Sequence, residues 1–212
     1  MPYTDGTRIE LSQNRLEGLL NQRLQNRNDP KKVEYIDQRI WNLFGEECCV
    51  LFTDLSGFSK HSDKFGVIHF LQTIKESERI FSPIIEEYDG FVVKTEGDSL
   101  IVIFRSTEKA LDCVVKMQYS SIEYNQNLPE EEQIILCCGL SWGIMLMIPG
   151  ESVDIYGEEV NFAAKLGEDI AGPGEILITQ RLAEFFPTTE NLKIEEHGHL
   201  NNGRQKIFKV LY

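Results

Sequence analysis

The stretch VVKTEGDSLIVIF, Val92 to Phe104, decides the fold. Two halves rich in β-forming residues flank Gly97-Asp98, and a glycine-containing dipeptide in that setting reads as a tight hairpin turn. Asp98 is therefore placed at a hairpin tip. Helical patterns surround the hairpin, over 61–87 before it and 106–125 after it. Close strands embedded among helices indicate an α+β sheet with helices packed mainly on one face. Further strands are predicted over 48–54, 133–148, 175–179, 192–196 and 206–211, and further helices near 158–169 and 180–186.

A second acid gives the hairpin a chemical meaning. In VLFTDLSGFS, Val50 to Ser59, an apolar run ends on Asp54 and turns at once through Leu55, Ser56 and Gly57. Acids and glycines commonly mark strand ends, and a lone acid at a hairpin tip is structurally ordinary. Two carboxylates on neighbouring strand ends are less ordinary. They can hold one or two Mg²⁺ ions, which prefer oxygen ligands and share their remaining sites with substrate phosphates. The small loop after Asp54 would let backbone N–H groups approach phosphate oxygens.

Composition narrows the class. The chain has 212 residues, 42% hydrophobic, with 34 acids against 21 bases and a net charge of −13. That suits one globular domain of moderate size with an appendage, and a surface so negative repels nucleic acid where no basic patch offsets it. Cys48, Cys49, Cys113, Cys137 and Cys138 are odd in number and contain no CxxC, so reduced, buried thiols are expected. The first 30 residues lack a signal-peptide core, and the apolar run Ile134–Ile148 is 15 residues long. A membrane span needs roughly 20. A soluble, cytoplasmic protein with no membrane partner is the expectation.

The N-terminal region carries Leu16, Leu19, Leu20 and Leu24 at helical spacing, then a break at Asn28-Asp29-Pro30. Ile36, Ile40, Leu43 and Phe44 follow on one face of a second helix ending at Gly45. Covering the core is the first expectation for these helices; contact with a partner copy or signal coupling is the second. Trp41 and Trp142 read as core, and His61, His69, His197 and His199 show no ligand spacing.

Four segments, in order, carry a resemblance: FTDLSGFS (52–59), VKTEGDS (93–99), VDIYGEEVNFAAKL (153–166) and GPGEILIT (172–179). Over roughly residues 48–211 the chain resembles the catalytic domain of class III nucleotidyl cyclases, the adenylyl/guanylyl cyclases. The resemblance implies a ferredoxin-like antiparallel sheet with helices packed against it. It also implies a cyclase catalytic domain over 47–212 preceded by a helical extension over 1–46.

What the resemblance implies for the site is specific. Asp54 and Asp98, with the Leu55 carbonyl, would bind two Mg²⁺ or Mn²⁺ ions per active site. The backbone of Ser56, Gly57 and Phe58 would hold phosphate oxygens. Lys94 and Asp154 would read the base. A cation beside a carboxylate complements the acceptor N1 and donor amino group of adenine, mismatches guanine, and fits cytosine as well. Asn161 and Lys165 stand four apart on a predicted helix face. Asn161 would orient the ribose, and Lys165 occupies a position that usually carries arginine, whose planar fork it lacks. A lysine often found near the C-terminus has only the displaced Arg204 and Lys206 as counterparts. Active sites shared across a homodimer are implied, because this chain carries both residue sets.

The function expected is cyclisation of a nucleoside triphosphate, with ATP as first choice, to 3′,5′-cyclic AMP and pyrophosphate. Alternatives are the same chemistry on a pyrimidine nucleotide, giving cyclic CMP or UMP, or a catalytically weak nucleotide-binding regulatory module. A polymerase-like Mg²⁺-dependent transferase lacks support, because residues 154–165 match cyclases specifically.

Overall fold

The computed structural model describes residues 5–57, 66–150, 153–186, 192–200, 203 and 205–212. They divide into two compact units: residues up to Glu47 together with Ile144–Glu158, and Cys48–Gly143 together with Glu159–Tyr212. Among the described residues no helix is long and apolar enough to cross a membrane.

A sheet organises the second unit. Its strands β1 (Gly45–Leu55), β2 (Phe91–Glu96), β3 (Ser99–Phe104), β4 (Leu136–Ile148), β6 (Ile176–Thr179), β7 (Lys193–Leu200) and β8 (Gln205–Leu211) lie in the order β2-β3-β1-β4-β6-β8-β7. Pairing is antiparallel for β1 with β3, β2 with β3, β6 with β8 and β7 with β8, and parallel for β4 with β6. The α+β class read from the sequence is what the chain adopts. Cys48 through Phe52 are all buried, so β1 is covered on both faces, which explains an unbroken apolar run where alternation would mark a half-exposed strand.

Helices cover one face in bulk and the other in a single short segment. From α3 (Val67–Glu87) and α4 (Thr107–Asn125), Phe81, Ile85, Leu111, Val114 and Met117 join Cys49, Leu51, Val102 and Leu140 in the main core. Ser106 caps α4, its side chain accepting from the Lys109 N–H at 3.3 Å. On the opposite face, α5 (Glu158–Ala164) continues into a π-helical turn, Lys165–Ile170. Phe162 and Leu166 of this segment pack with Leu177, Leu200 and Ile207.

That segment lies unusually close to the strands beneath it. A Cβ on Gly139 of β4 would fall 2.3 Å from the Ala163 carbonyl oxygen, and one on Gly167 would fall 2.8 Å from the Phe52 carbonyl oxygen. Two residues without Cβ atoms therefore set the spacing between helix and sheet. The sequence reading placed one regular helix near 158–169; the π turn, closed by Ala171 N–H donating to Leu166 O at 2.8 Å, replaces its second half. The widened turn lets Leu166 and Gly167 both face inward.

The first unit is smaller. It contains α1 (Asp5–Gln25), α2 (Pro30–Phe44) and β5 (Asp154–Tyr156), which pairs antiparallel with the Leu146–Ile148 end of β4. Asp29 caps α2 through the Lys32 N–H, and Pro30 occupies the first helical turn, where its missing N–H costs nothing. Ile36, Ile40 and Phe44 cluster with Leu19, and Arg23 forks onto Asp37 at 2.5 and 3.2 Å. Trp41, read as core, is instead 43% exposed, and with Leu16, Leu20, Ile40, Ile148 and Tyr156 it lines a cavity of about 470 Å³. Trp142 of the second unit is buried as expected.

All five cysteines are buried and free. Burial pushes the Cys137 thiol up to about 11 and Cys113 to about 12, which keeps both protonated and unreactive.

Candidate active site

Two strand ends bring Asp54 and Asp98 together. Pairing of Thr53 with Leu100 fixes the end of β1 against β3, and the Thr53 hydroxyl accepts from the Leu100 N–H at 3.2 Å. The β2–β3 hairpin closes through Glu96 opposite Ser99, with Gly97 at φ +60° in the first central position of the turn. Only glycine takes that φ without strain, so the turn glycine is what delivers Asp98 to the tip. The Ser99 hydroxyl reaches Asp54 Oδ1 at 3.5 Å.

Crowded acids perturb one another here. Burial, followed by the charges of Asp98 and Glu168, pushes the Asp54 carboxyl up to about 6. Asp98 is also raised by burial, but N–H groups of its own backbone and of Leu55 favour its carboxylate. Asp54 therefore holds its proton to higher pH than an ordinary aspartate, with the Asp98 charge beside it as one cause. A pair that retains a proton so readily offers a seat for a stronger cation, and its all-oxygen donors suit Mg²⁺ or Mn²⁺. Among the described residues no three His, Cys, Asp or Glu side chains are arranged to hold a metal. An ion at Asp54 and Asp98 would complete its shell from backbone, water or substrate oxygens.

The loop after Asp54 is partly committed. The Ser56 N–H donates to the Ile135 carbonyl at 2.8 Å, and Gly57 adopts φ +78°. A phosphate oxygen would meet the Gly57 amide before that of Ser56. Phe58 lies outside the described residues, as does Arg204.

The base-reading candidates belong to different units. Lys94, in the second, is exposed on β2 just after a bulge that shifts the register between Val92 and Lys94. Its ammonium pairs with Glu96, which shares its face of the strand. Both groups are about half exposed, so the pair is weak and readily exchanged for a ligand. Asp154, in the first unit, is exposed at the start of β5, opposite Ile148. Sequence reading did not find β5, because three residues show no usable alternation.

Asn161 and Lys165 are both exposed, Asn161 on α5 and Lys165 as the first residue of the π turn. Glu168, on that same turn, was not singled out from sequence. Its charge acts on Asp54, and burial with Asp169, Glu96 and Asp98 raises its own carboxyl. A regular helix pattern gives no hint of it, since the i→i+5 turn decides where position 168 lies. Lys206 pairs with Glu196 at 2.8 Å on the β7–β8 hairpin.

Known proteins share this arrangement of elements. A protein of Rhizobium meliloti (strain 1021), provisionally named adenylate cyclase 3, is 25% identical over 150 residues, 71% of this chain and 25% of that protein. The chain thus spans about a quarter of that relative's length. The crystal structure of an adenylate/guanylate cyclase/hydrolase from Silicibacter pomeroyi is 24% identical, with a TM-score of 0.67 over 79% of this chain and 98% of its own. A dimeric guanylyl cyclase domain from the aquatic fungus Blastocladiella emersonii gives a TM-score of 0.68 at 17% identity, over 79% of this chain and 97% of its own. The family model of the adenylate and guanylate cyclase catalytic domain matches residues 44–209. That match takes in most of the chain, which therefore belongs to the adenylate and guanylate cyclase family, the class III nucleotidyl cyclases.

Proposed function

We propose that the protein is an adenylate cyclase, converting ATP to 3′,5′-cyclic AMP and pyrophosphate at sites shared between two copies. The observation that carries this reading is the pair of acids Asp54 and Asp98 at adjoining strand ends, within a chain of the cyclase family. Bound Mg²⁺ or Mn²⁺ at this pair, with the Leu55 carbonyl, would supply Lewis-acid charge that acidifies the ribose 3′-hydroxyl and neutralises the triphosphate.

The chain's own residues do the rest. Asp54 and Asp98, as carboxylates, would be the oxygen ligands that hold the divalent ion beside the reacting phosphate. The Gly57 amide, with Ser56 and Phe58, cradles phosphate oxygens as the nucleotide settles. Lys94 leaves Glu96 to donate to the adenine N1, while Asp154 accepts from the exocyclic amino group. Asn161 holds the ribose so that the 3′-oxygen lies in line with the α-phosphorus. Lys165 places a positive charge beside the α-phosphate as negative charge grows there. The 3′-oxygen, its proton passing to water, bonds to the α-phosphorus as the bond from that phosphorus to the bridging oxygen breaks, which closes the ring and releases pyrophosphate.

Dimer formation supports this division of labour. The B. emersonii neighbour is a dimeric cyclase domain, and this chain carries both the metal-binding acids and the base-reading and transition-state residues, as a head-to-tail pair of equivalent sites requires. Hydrogen-bond polarity favours ATP over GTP; cytosine presents the same acceptor and amino pair, so CTP is the rival substrate.

The test is product analysis by mass spectrometry after incubation with ATP, CTP, UTP or GTP, each with Mg²⁺ and with Mn²⁺. Cyclic AMP as the main product is expected. A cyclic pyrimidine as main product would keep the mechanism and replace the substrate. No cyclic product from any nucleotide would overturn the enzymatic reading.

A further inference from the structure

Beneath α5 lies a carboxylate that the mechanism above does not use. The Glu159 side chain is 14% exposed, on a helix of seven residues. Its Oε2 accepts from the buried Ser141 hydroxyl of β4, and Ser141 Oγ lies 3.1 Å from the buried Thr179 Oγ1 at the end of β6. Its Oε1 stands 4.0 Å from Arg181 Nη1 on the helical turn Gln180–Ala183. Two separate elements thus contact one acid, and a third, through Thr179, backs the Ser141 hydroxyl.

Room for that acid is built into the strand. A Cβ on Gly143 would meet Glu159 Cγ and Oε1 at 2.8 Å and Arg181 Nη1 at 3.0 Å. Burying a carboxylate costs several kcal/mol unless it is paired and hydrogen-bonded. An apolar residue here would hold the helix to the sheet without that cost, so the fixed direction of the polar contacts is what the acid adds.

Geometry says what is being directed. Residues two apart on a helix point about 200° away from each other. Clamping Glu159 inward on Ser141 and Arg181 therefore sets Asn161 outward. Phe162 and Ala163, both buried, fix the other side of the same turn. Seven residues of α-helix running into one π turn have little stability of their own, so the rotation of α5 is set by such anchors.

We infer that Glu159 is a positioning residue: through Ser141, Thr179 and Arg181 it fixes the rotation of α5 and so the direction in which Asn161 is presented to the ribose. This inference rests on the cyclase reading for the consequence it assigns to Asn161. The clamp itself is independent of that reading.

The experiment compares the wild-type chain with Glu159→Ala and Glu159→Gln in two measurements. In the cyclase assay, Glu159→Ala is expected to lower kcat by about tenfold to a hundredfold, the scale on which misplacement of about 1 Å acts. Inhibition by 3′-deoxy-ATP, which binds but lacks the attacking hydroxyl, should change by less than about twofold, separating positioning from lost binding. Glu159→Gln keeps a hydrogen-bonding oxygen for Ser141 and should recover most of kcat, within about threefold of wild type. In hydrogen exchange, amides of residues 160–164 should exchange at least about tenfold faster in Glu159→Ala while those of β4 keep their protection.

Unchanged kcat and unchanged exchange in Glu159→Ala would overturn the inference. So would a kcat loss matched by equal loss of 3′-deoxy-ATP binding. Should Glu159→Ala fail to fold, Glu159→Gln and Gly143→Ala, which crowds the same carboxylate, carry both measurements. A wild-type chain with no cyclase activity refutes the enzymatic reading alone, and the exchange result still decides the clamp.

Discussion

Asp54 and Asp98 are placed by strand register, whereas Asn161 and Lys165 are placed by what packs underneath them. The two acids end a ladder in which Thr53 faces Leu100 and Glu96 faces Ser99, so their separation follows from repeating hydrogen bonds. The amide and the ammonium ride, exposed, on a short helix and π turn whose height above the sheet depends on Gly139 and Gly167. Strand ends therefore tolerate sequence change nearby as long as the ladder survives. The helix does not, because each small residue beneath it is a spacer.

The largest effects should come from the acids. Asp54→Ala and Asp98→Ala are each expected to lower turnover by about 10²-fold or more, the scale seen when preorganised electrostatic groups are removed. Their melting temperatures at pH 8 should equal or exceed wild type, since each change removes one of two crowded charges. A mutant that keeps full Mn²⁺-dependent activity would sink the metal assignment. One that unfolds would show that the ladder is less independent of the site than its register indicates.

Removing the spacers should cost stability and turnover together. Gly139→Ala and Gly167→Ala are each expected to destabilise by about 1–3 kcal/mol, as overpacking does, in thermal and urea unfolding. Gly18→Ala is the control. Nothing lies within 4 Å of a Cβ at Gly18 in α1, and there alanine should stabilise by about 0.5–1 kcal/mol. Equal effects at all three positions would remove the contrast between spacer and ordinary glycine.

The same contrast explains what was legible in the sequence. The short apolar run ending on Asp54 and the Gly97-Asp98 turn between β-forming residues are local signals, so the strands and the hairpin were found. Four ordered segments then gave the family. The π turn could not be read, because Ala164 to Ile170 has the composition of an ordinary helix and carries no local sign of how closely Gly167 approaches Phe52 and Gly139. Glu168 and Glu159 were missed for the same reason: their neighbours are set by tertiary packing. Trp41 was misread as core, since a large aromatic at helical spacing carries no sign of the cavity beside it.

Base choice gives an intermediate effect. Lys94→Glu replaces the proposed donor for adenine N1 with an acceptor, so the ratio of ATP to GTP turnover should fall by about tenfold or more. An unchanged ratio would remove Lys94 from base recognition. Glu96→Gln removes the exposed Lys94–Glu96 ion pair and should change the KM for ATP by less than about twofold, since such pairs contribute little.

The smallest effect tests the acid pair without any substrate. In the unfolded chain an aspartate titrates near 3.8, and folded Asp54 titrates near about 6. Between those values the folded state binds the extra proton, so its stability is fully present below pH 3.8 as far as this group is concerned and falls as pH rises through about 6. The metal-free protein should lose on the order of 2–4 °C in melting temperature from this group across that window, superimposed on the titration of other carboxylates. Asp54→Asn should flatten that component, because the amide has no proton to lose. Mn²⁺ should raise the wild-type melting temperature more at pH 8 than at pH 4.5, where proton and metal compete for the same oxygens. A slope that persists in Asp54→Asn would place the titrating group elsewhere and leave the two strand ends without the charge conflict on which their proposed role as a cation seat rests.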